Sequence, residues 1–218
     1  MATFRILQIL LLTTTLCTGF VHGKGKPLVY PITFAARGGG ASSNYGQDMN
    51  QEEMMESDML VTVDENDILI SAPGMSTSKK LAHTFTPNQP RGILHRAFSF
   101  FLFDQNNRML LTKRASSKIT FPGVWTNTCC SHPLHGMTPN EVDVVPDAYP
   151  HFPGIKHAAI RKLKHELGIE PQYIPHDKIT FLSRFHYWAA DTVTYGKDAP
   201  WGEHGKYKRF LSTNSAGK

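Results

Sequence analysis

A chain of 218 residues, 40% hydrophobic and 19% charged, is long enough to bury one sizeable core and too apolar to be wholly disordered. Its net charge of +5 is spread along the sequence and not gathered into a basic arm, which suits an anionic small molecule and argues against nucleic acid as a partner. Three cysteines cannot make a disulfide framework: Cys17 lies in an N-terminal apolar segment, and Cys129 and Cys130 are neighbours. Adjacent Cα atoms, about 3.8 Å apart, are closer than a disulfide normally allows.

Residues 1–23 read as a signal-peptide-like segment, with one early cation, Arg5, an apolar stretch from Ile6 to Leu12 and small residues near Gly19. The segment is too short and too interrupted by threonines for a stable membrane span. Residues 24–57, which include "PITFAARGGGASSNYG", have the Gly/Ser-rich, acid-poor composition of a disordered transit-like linker. A signal followed by a transit-like stretch resembles the two-part presequence of plastids bounded by extra membranes. Entry to the secretory pathway, or the cytosol if the leader does not function, are the other destinations.

From residue 58 the pattern is that of a folded domain. "MLVTVDENDILIS" has two apolar runs around an Asp/Asn-rich turn, the composition of a hairpin. "HRAFSFFLFDQNNRMLLTKR" repeats it, with strands expected at Ala97–Phe103 and Met109–Thr112. "GIKHAAIRKLKHELG" is expected to be helical, since Ile160, Leu163 and Leu167 share a face and Gly168 can end it. In "KITFLSRFHYWAA" the alternation of Ile179, Phe181, Phe185 and Tyr187 marks a half-buried strand. Together these describe a mixed α/β (α+β) domain with a curved sheet, and no internal repeat.

The helix carries the first chemical signal. "RKLKHELGI" keeps Arg161, Leu163, Glu166, Gly168 and Ile169 at the spacings of the end of the Nudix box, a helix whose glutamates hold metal-bound diphosphates. Lys162 and His165 stand at two of its usual acidic positions. Ordinary Nudix hydrolysis needs more carboxylates, because hard cations prefer oxygen ligands. Taken alone, Glu166 is simply a helix acid near Lys162.

A wider set of motifs points further. "AHTF", "LHRAFSFFLF", "LLTKRASSKITFPGVWTNTCCSHP", "RKLKHELGI" and "WGEH", in this order from Met59 to His204, closely resemble type I isopentenyl-diphosphate isomerase, a Nudix-fold enzyme of isoprenoid synthesis. The resemblance implies a Nudix-like curved sheet flanked by helices and interconversion of isopentenyl and dimethylallyl diphosphate. It implies Cys130 as catalytic thiol, with His83, His95, His132 and Glu203 around a divalent metal. Magnesium is the first expectation for that metal, with manganese or zinc as substitutes. Glu166 is implied at a second magnesium on the diphosphate, and Lys79, Arg114, Lys118 and Ser131 as substrate contacts. Lysines and an arginine fork suit phosphate oxygens. His22, His135, His151, His157, His176 and His186 have no expected role, and Cys129 is expected to be structural.

The chain departs from this family after His204. Members read Glu, His, Glu where this sequence reads Glu203, His204, Gly205, and the second glutamate is both ligand and acid/base. Residues 205–218 are therefore expected to be a polar, non-family tail, and residues 58–204 an incomplete isomerase domain of impaired activity and stability. Gly205, Lys206 and Tyr207 can be encoded by GGT AAG TAT, which contains a splice-donor sequence, so the tail is a candidate for translated intron. A Nudix-type diphosphate hydrolase and a noncatalytic isoprenoid-diphosphate or metal-binding protein are the alternative functions.

Overall fold

The computed structural model describes residues 19–21, 28–29, 45, 49–71 and 73–213. Cys17, His22, the rest of the leader and residues 214–218 lie outside them. No described helix is long and apolar enough to cross a membrane.

In chain order the elements are β1 (Gly19–Val21), β2 (Leu28–Val29), α1 (Gln51–Ser57), β3 (Met59–Val61), β4 (Ser76–Ser78), α2 (Lys79–His83), β5 (His95–Phe103), β6 (Met109–Lys113), β7 (Trp125–Thr126), β8 (Cys129–Ser131), α3 (Pro153–Leu167), β9 (Ile179–Ala190), α4 (Thr192–Tyr195) and β10 (Gly202–Thr213). The main sheet runs β2-β1-β6-β5-β10-β9, with β7 on β6 and β8 on β5. Only β5 and β10 pair in parallel, so the sheet is mixed, in keeping with a Nudix-like α+β fold.

The helix α3 forms where expected. Its buried stripe, Ile155, Ala158, Ala159, Lys162, Leu163 and Leu167, has helical period, and Gly168 ends it in the left-handed region at φ 66°. At the other end Asp143 caps from a distance, accepting bonds from the Gly154 and Ile155 amides at 2.8 and 3.0 Å. The helix packs on Phe98, Phe100, Leu102 and Phe210, which alternate with residues on the opposite face of the sheet.

Four local expectations need correction. The run from Met59 turns at Asp64–Asp67 and makes an isolated Val63–Leu69 bridge, but β3 pairs with β4 and not with the second apolar run. Within the stretch expected to be disordered, Gln51–Ser57 forms α1, because Asn50 and Glu53 build a reciprocal capping box and Met55 is buried. Residues Ile179 and Phe181 pack on α3, whereas Phe185 and Tyr187 face the other side. A bulge explains that switch: Arg209 pairs with Ser183 and Phe210 with Phe181, leaving Leu182 unpaired. Finally, the boundary drawn at His204/Gly205 falls inside β10, whose residues 205–213 pair along the whole of β5. Lys208 can be buried there because it pairs with Asp67, which also binds Arg96 at 2.9 Å.

Candidate functional site

Four elements converge at one end of the parallel β5–β10 pair. His83 ends α2, His95 begins β5, His132 follows β8 and Glu203 is the second residue of β10. All four are buried, and one donor atom from each lies within 4.8 Å of the others. His95 Nε2 is 2.8 Å from Glu203 Oε1, His132 Nε2 is 3.2 Å from the same oxygen, and His83 Nε2 is 3.6 Å from Oε2. Donors about 2.0–2.2 Å from a common ion would have such separations.

The chemistry of these donors fits a cation. Ile93's carbonyl, 2.8 Å from His95 Nδ1, can only accept, so Nδ1 carries the proton. Nε2 is then the ring atom turned toward the Glu203 carboxylate, where the two would share a bound cation as ligands. His83 Nε2 is buried with no hydrogen-bond partner. Burial also holds the His132 ring down at about 4 and His83 well below the ordinary range, against the pull of Glu203, so both imidazoles are neutral at pH 7. Burial pushes the Glu203 carboxyl up, but its close contacts with His83, His132 and His95 bring it well below the ordinary carboxylate range.

A cavity of about 590 Å³ opens beside this cluster. Cys130, Ser131, Lys79, Arg114, Lys118, Glu166, His83, His132 and Glu203 all line it, while His95 sits behind its wall. Cys130 Sγ lies 2.9 Å from Asn127 Oδ1 and 3.3 Å from Ser99 Oγ. Burial pushes the Cys130 thiol up, the Ser99, Asn127 and Thr126 contacts only partly offsetting it, so it is a neutral thiol at pH 7. Its neighbour Cys129 faces the opposite way, into the core under α3.

At the far side, cations exceed anions. Burial disfavours the Glu166 anion, yet Lys162, Lys118 and Arg114 together hold its carboxyl at about 2. Lys162 is 3.0 Å from Glu166. Lys79 is brought down to about 8 by burial and by Lys162, with Asp58 at 3.8 Å opposing. Arg114 donates to Thr120 at 3.2 Å, but its buried Nε has no partner. Four cations around one carboxylate leave a site that an anion rich in oxygens would complete.

Sequence reasoning missed several wall residues. In sequence Lys162 and His165 stand out only as departures from an acidic box, and Tyr187 only as a strand residue, yet all three line the cavity. Tyr207 and Arg209 were assigned to the tail, although strand alternation from Glu203 places both on the cavity face. Met49, Met54 and Met55 come from the segment read as linker.

A mixed sheet with a flanking helix, a histidine and glutamate cage and an adjoining cationic, thiol-bearing cavity define a Nudix-like α+β protein with a site fit for a divalent metal. No family model matches the chain. Over 165 residues, 75% of the chain, it is 45% identical to the isopentenyl-diphosphate delta-isomerase of Schizosaccharomyces pombe, covering 66% of that protein. It is 45% identical over 157 residues to isopentenyl-diphosphate Delta-isomerase 1 of Bos taurus, covering 72% of the chain and 61% of that protein. Against the chloroplastic isopentenyl-diphosphate Delta-isomerase I of Arabidopsis thaliana the identity is 39% over 163 residues, 75% of the chain and 50% of that protein. The chain belongs to the isopentenyl-diphosphate delta-isomerase family and spans between half and two thirds of the length of these relatives.

Proposed function

We propose that the chain interconverts isopentenyl and dimethylallyl diphosphate, and that it does so weakly. The observation that carries this reading is the meeting of Cys130, the histidine and glutamate cage and a cluster of cations in one cavity. Its 39–45% identity to proteins named as isomerases supports it.

Isomerisation adds a proton to the terminal methylene of the substrate and removes one from its second carbon, so an acid and a base must face the hydrocarbon from two sides. In this reading Cys130 is one of them, exchanging a proton without leaving a permanent anion beside a developing carbocation. Lys79, Arg114, Lys118 and Ser131 hold the diphosphate, and Glu166 is the carboxylate for a second magnesium ion accompanying it. A divalent ion in the cage would supply a fixed positive charge that orders three imidazoles and Glu203. Three nitrogens and one oxygen suit manganese or zinc better than magnesium. Glu203 lines the same cavity as Cys130, but Gly205 offers no second carboxylate beside it, which is the reason to expect slow turnover.

The test is incubation of isopentenyl diphosphate with the chain and either magnesium or manganese in deuterated water. Dimethylallyl diphosphate carrying deuterium supports the proposal, whereas released phosphate would indicate a diphosphate hydrolase. Gly205 also favours a second reading, a noncatalytic binder. Tight calorimetric binding of isopentenyl diphosphate with no labelled product would select it.

We further propose delivery to a plastid through the leader; two Arabidopsis thaliana relatives are named as chloroplastic. A fluorescent protein fused to residues 1–57 that stays in the cytosol would count against this.

A further inference from the structure

The short helix α1 and its C-terminal cap reach two of the cavity lysines, one from each end. At the first residue of α1, Gln51 sets its side-chain amide against the loop after β6: Nε2 donates to the Ser117 carbonyl at 3.0 Å, and Oε1 accepts from the Ile119 amide at 3.3 Å. Those two backbone groups flank Lys118, so a single side chain fixes the main chain on either side of that lysine. Glutamine carries both the donor and the acceptor that this two-point contact needs, whereas a carboxylate lacks the donor and an apolar side chain lacks both. At the other end of α1, the carbonyl of its cap Asp58 accepts from the Lys79 amide at 2.8 Å, and the Asp58 carboxylate lies 3.8 Å from Lys79 Nζ. The Tyr45 hydroxyl donates to the same carboxylate at 2.9 Å. The helix between is well seated, since Asn50 and Glu53 close a reciprocal capping box and Met55 is buried. Its seven residues span about 10 Å.

We propose that Gln51 is a positioning residue of the diphosphate site, clamping the backbone around Lys118 so that α1 acts as a spacer between Lys118 and Lys79. The inference deepens the reading of these two lysines as diphosphate contacts and rests on it. A lysine carries a point charge on a flexible four-carbon stem, so the place of its backbone decides where that charge can reach. Gln51 lines the cavity together with Lys79 and Lys118, but its amide is engaged by Ser117 and Ile119, so its influence on a bound anion passes through Lys118.

The test is binding of inorganic diphosphate with magnesium to the full chain, measured by calorimetry, with circular dichroism to verify folding. Gln51→Met keeps the length and helix preference of the side chain and removes only the amide; it should weaken diphosphate about three- to tenfold, the usual net worth of such hydrogen bonds. Gln51→Ala should do the same. In a Lys118→Ala background neither change should have a further effect, because a residue that works through Lys118 then has nothing left to position. A merely structural role would cost the same affinity in both backgrounds. Undiminished affinity in the folded Gln51 variants, additive losses in the double variants, or no diphosphate binding by the unaltered chain would overturn the proposal. Isomerisation of isopentenyl diphosphate is assayed in parallel. Diphosphate binding with the non-additive pattern but no product would sink the functional reading and leave the role of Gln51 standing, whereas product from a chain whose diphosphate affinity ignores Gln51 would sink this inference alone.

Discussion

A buried thiol set against Asn127 and Ser99 in the wall of a cavity is a different reagent from a thiol in water. Burial raises its pKa, so Cys130 keeps its proton at neutral pH and is available for proton exchange with carbon. Cys130→Ala should lower isomerase turnover by about 10²–10⁴-fold, the usual contribution of a positioned acid or base, with little change in isopentenyl-diphosphate binding by calorimetry. A mutant with undiminished turnover would remove Cys130 from the mechanism. Glu166 is the opposite case, a carboxyl held at about 2 although burial disfavours its charge, because Lys162, Lys118 and Arg114 surround it. Its folded pKa is below the unfolded value near 4.3, so its stabilisation is fully present above about pH 4.5 and lost as pH falls toward 2. Glu166→Gln, which strands a buried Lys162, should reduce stability at pH 7 by about 1–3 kcal/mol in urea titrations. The deficit should shrink between pH 4.5 and 3, and a deficit independent of pH would contradict this electrostatic account.

At the scale of elements, α3 and the β5–β6 pair were legible because their signals are local: a helical apolar stripe closed by Gly168, and two apolar runs around an Asp/Asn turn. The second half of β10 was not. "KYKRF" reads as a polar tail until Asp67, more than a hundred residues earlier, is seen to neutralise Lys208, and no spacing rule reports that pairing. The bulge at Leu182 was equally hidden, since an uninterrupted alternation gives no sign that one face becomes the other. The cage shows the same limit, because His83, His95, His132 and Glu203 are brought together by four different elements. Their resemblance to a family named them, whereas their spacing could not. The strand makes its own prediction. Phe210 is fully buried between α3 and β9, against Phe152 and Phe181, so Phe210→Ala should destabilise the protein by about 3–5 kcal/mol. A loss below 1 kcal/mol in chemical denaturation would mean that residues 205–213 do not pack into the sheet.

For the whole molecule, the cage is a junction as well as a site. α2, β5, β10 and the segment after β8 each contribute one donor, so an ion held there ties together parts of the chain that no disulfide joins. Ligand that binds only the folded state adds about 2.7 kcal/mol when present at a hundred times its dissociation constant. In a domain of this size that corresponds to roughly 5–10 °C in the thermal midpoint. Manganese should therefore raise the midpoint by that amount over a sample stripped with EDTA. Glu203→Gln should abolish the metal-dependent increment, because an amide can no longer balance the charge of the ion. Any divalent cation could also bind exposed carboxylates without using the cage, so calcium provides the control. It prefers oxygen ligands and should stabilise far less through three imidazoles. If calcium and manganese raise the midpoint equally, the ion acts on the carboxylates at large and the four-residue cluster is not a metal cage; if manganese alone acts, and only with Glu203 intact, the cage helps to close the fold.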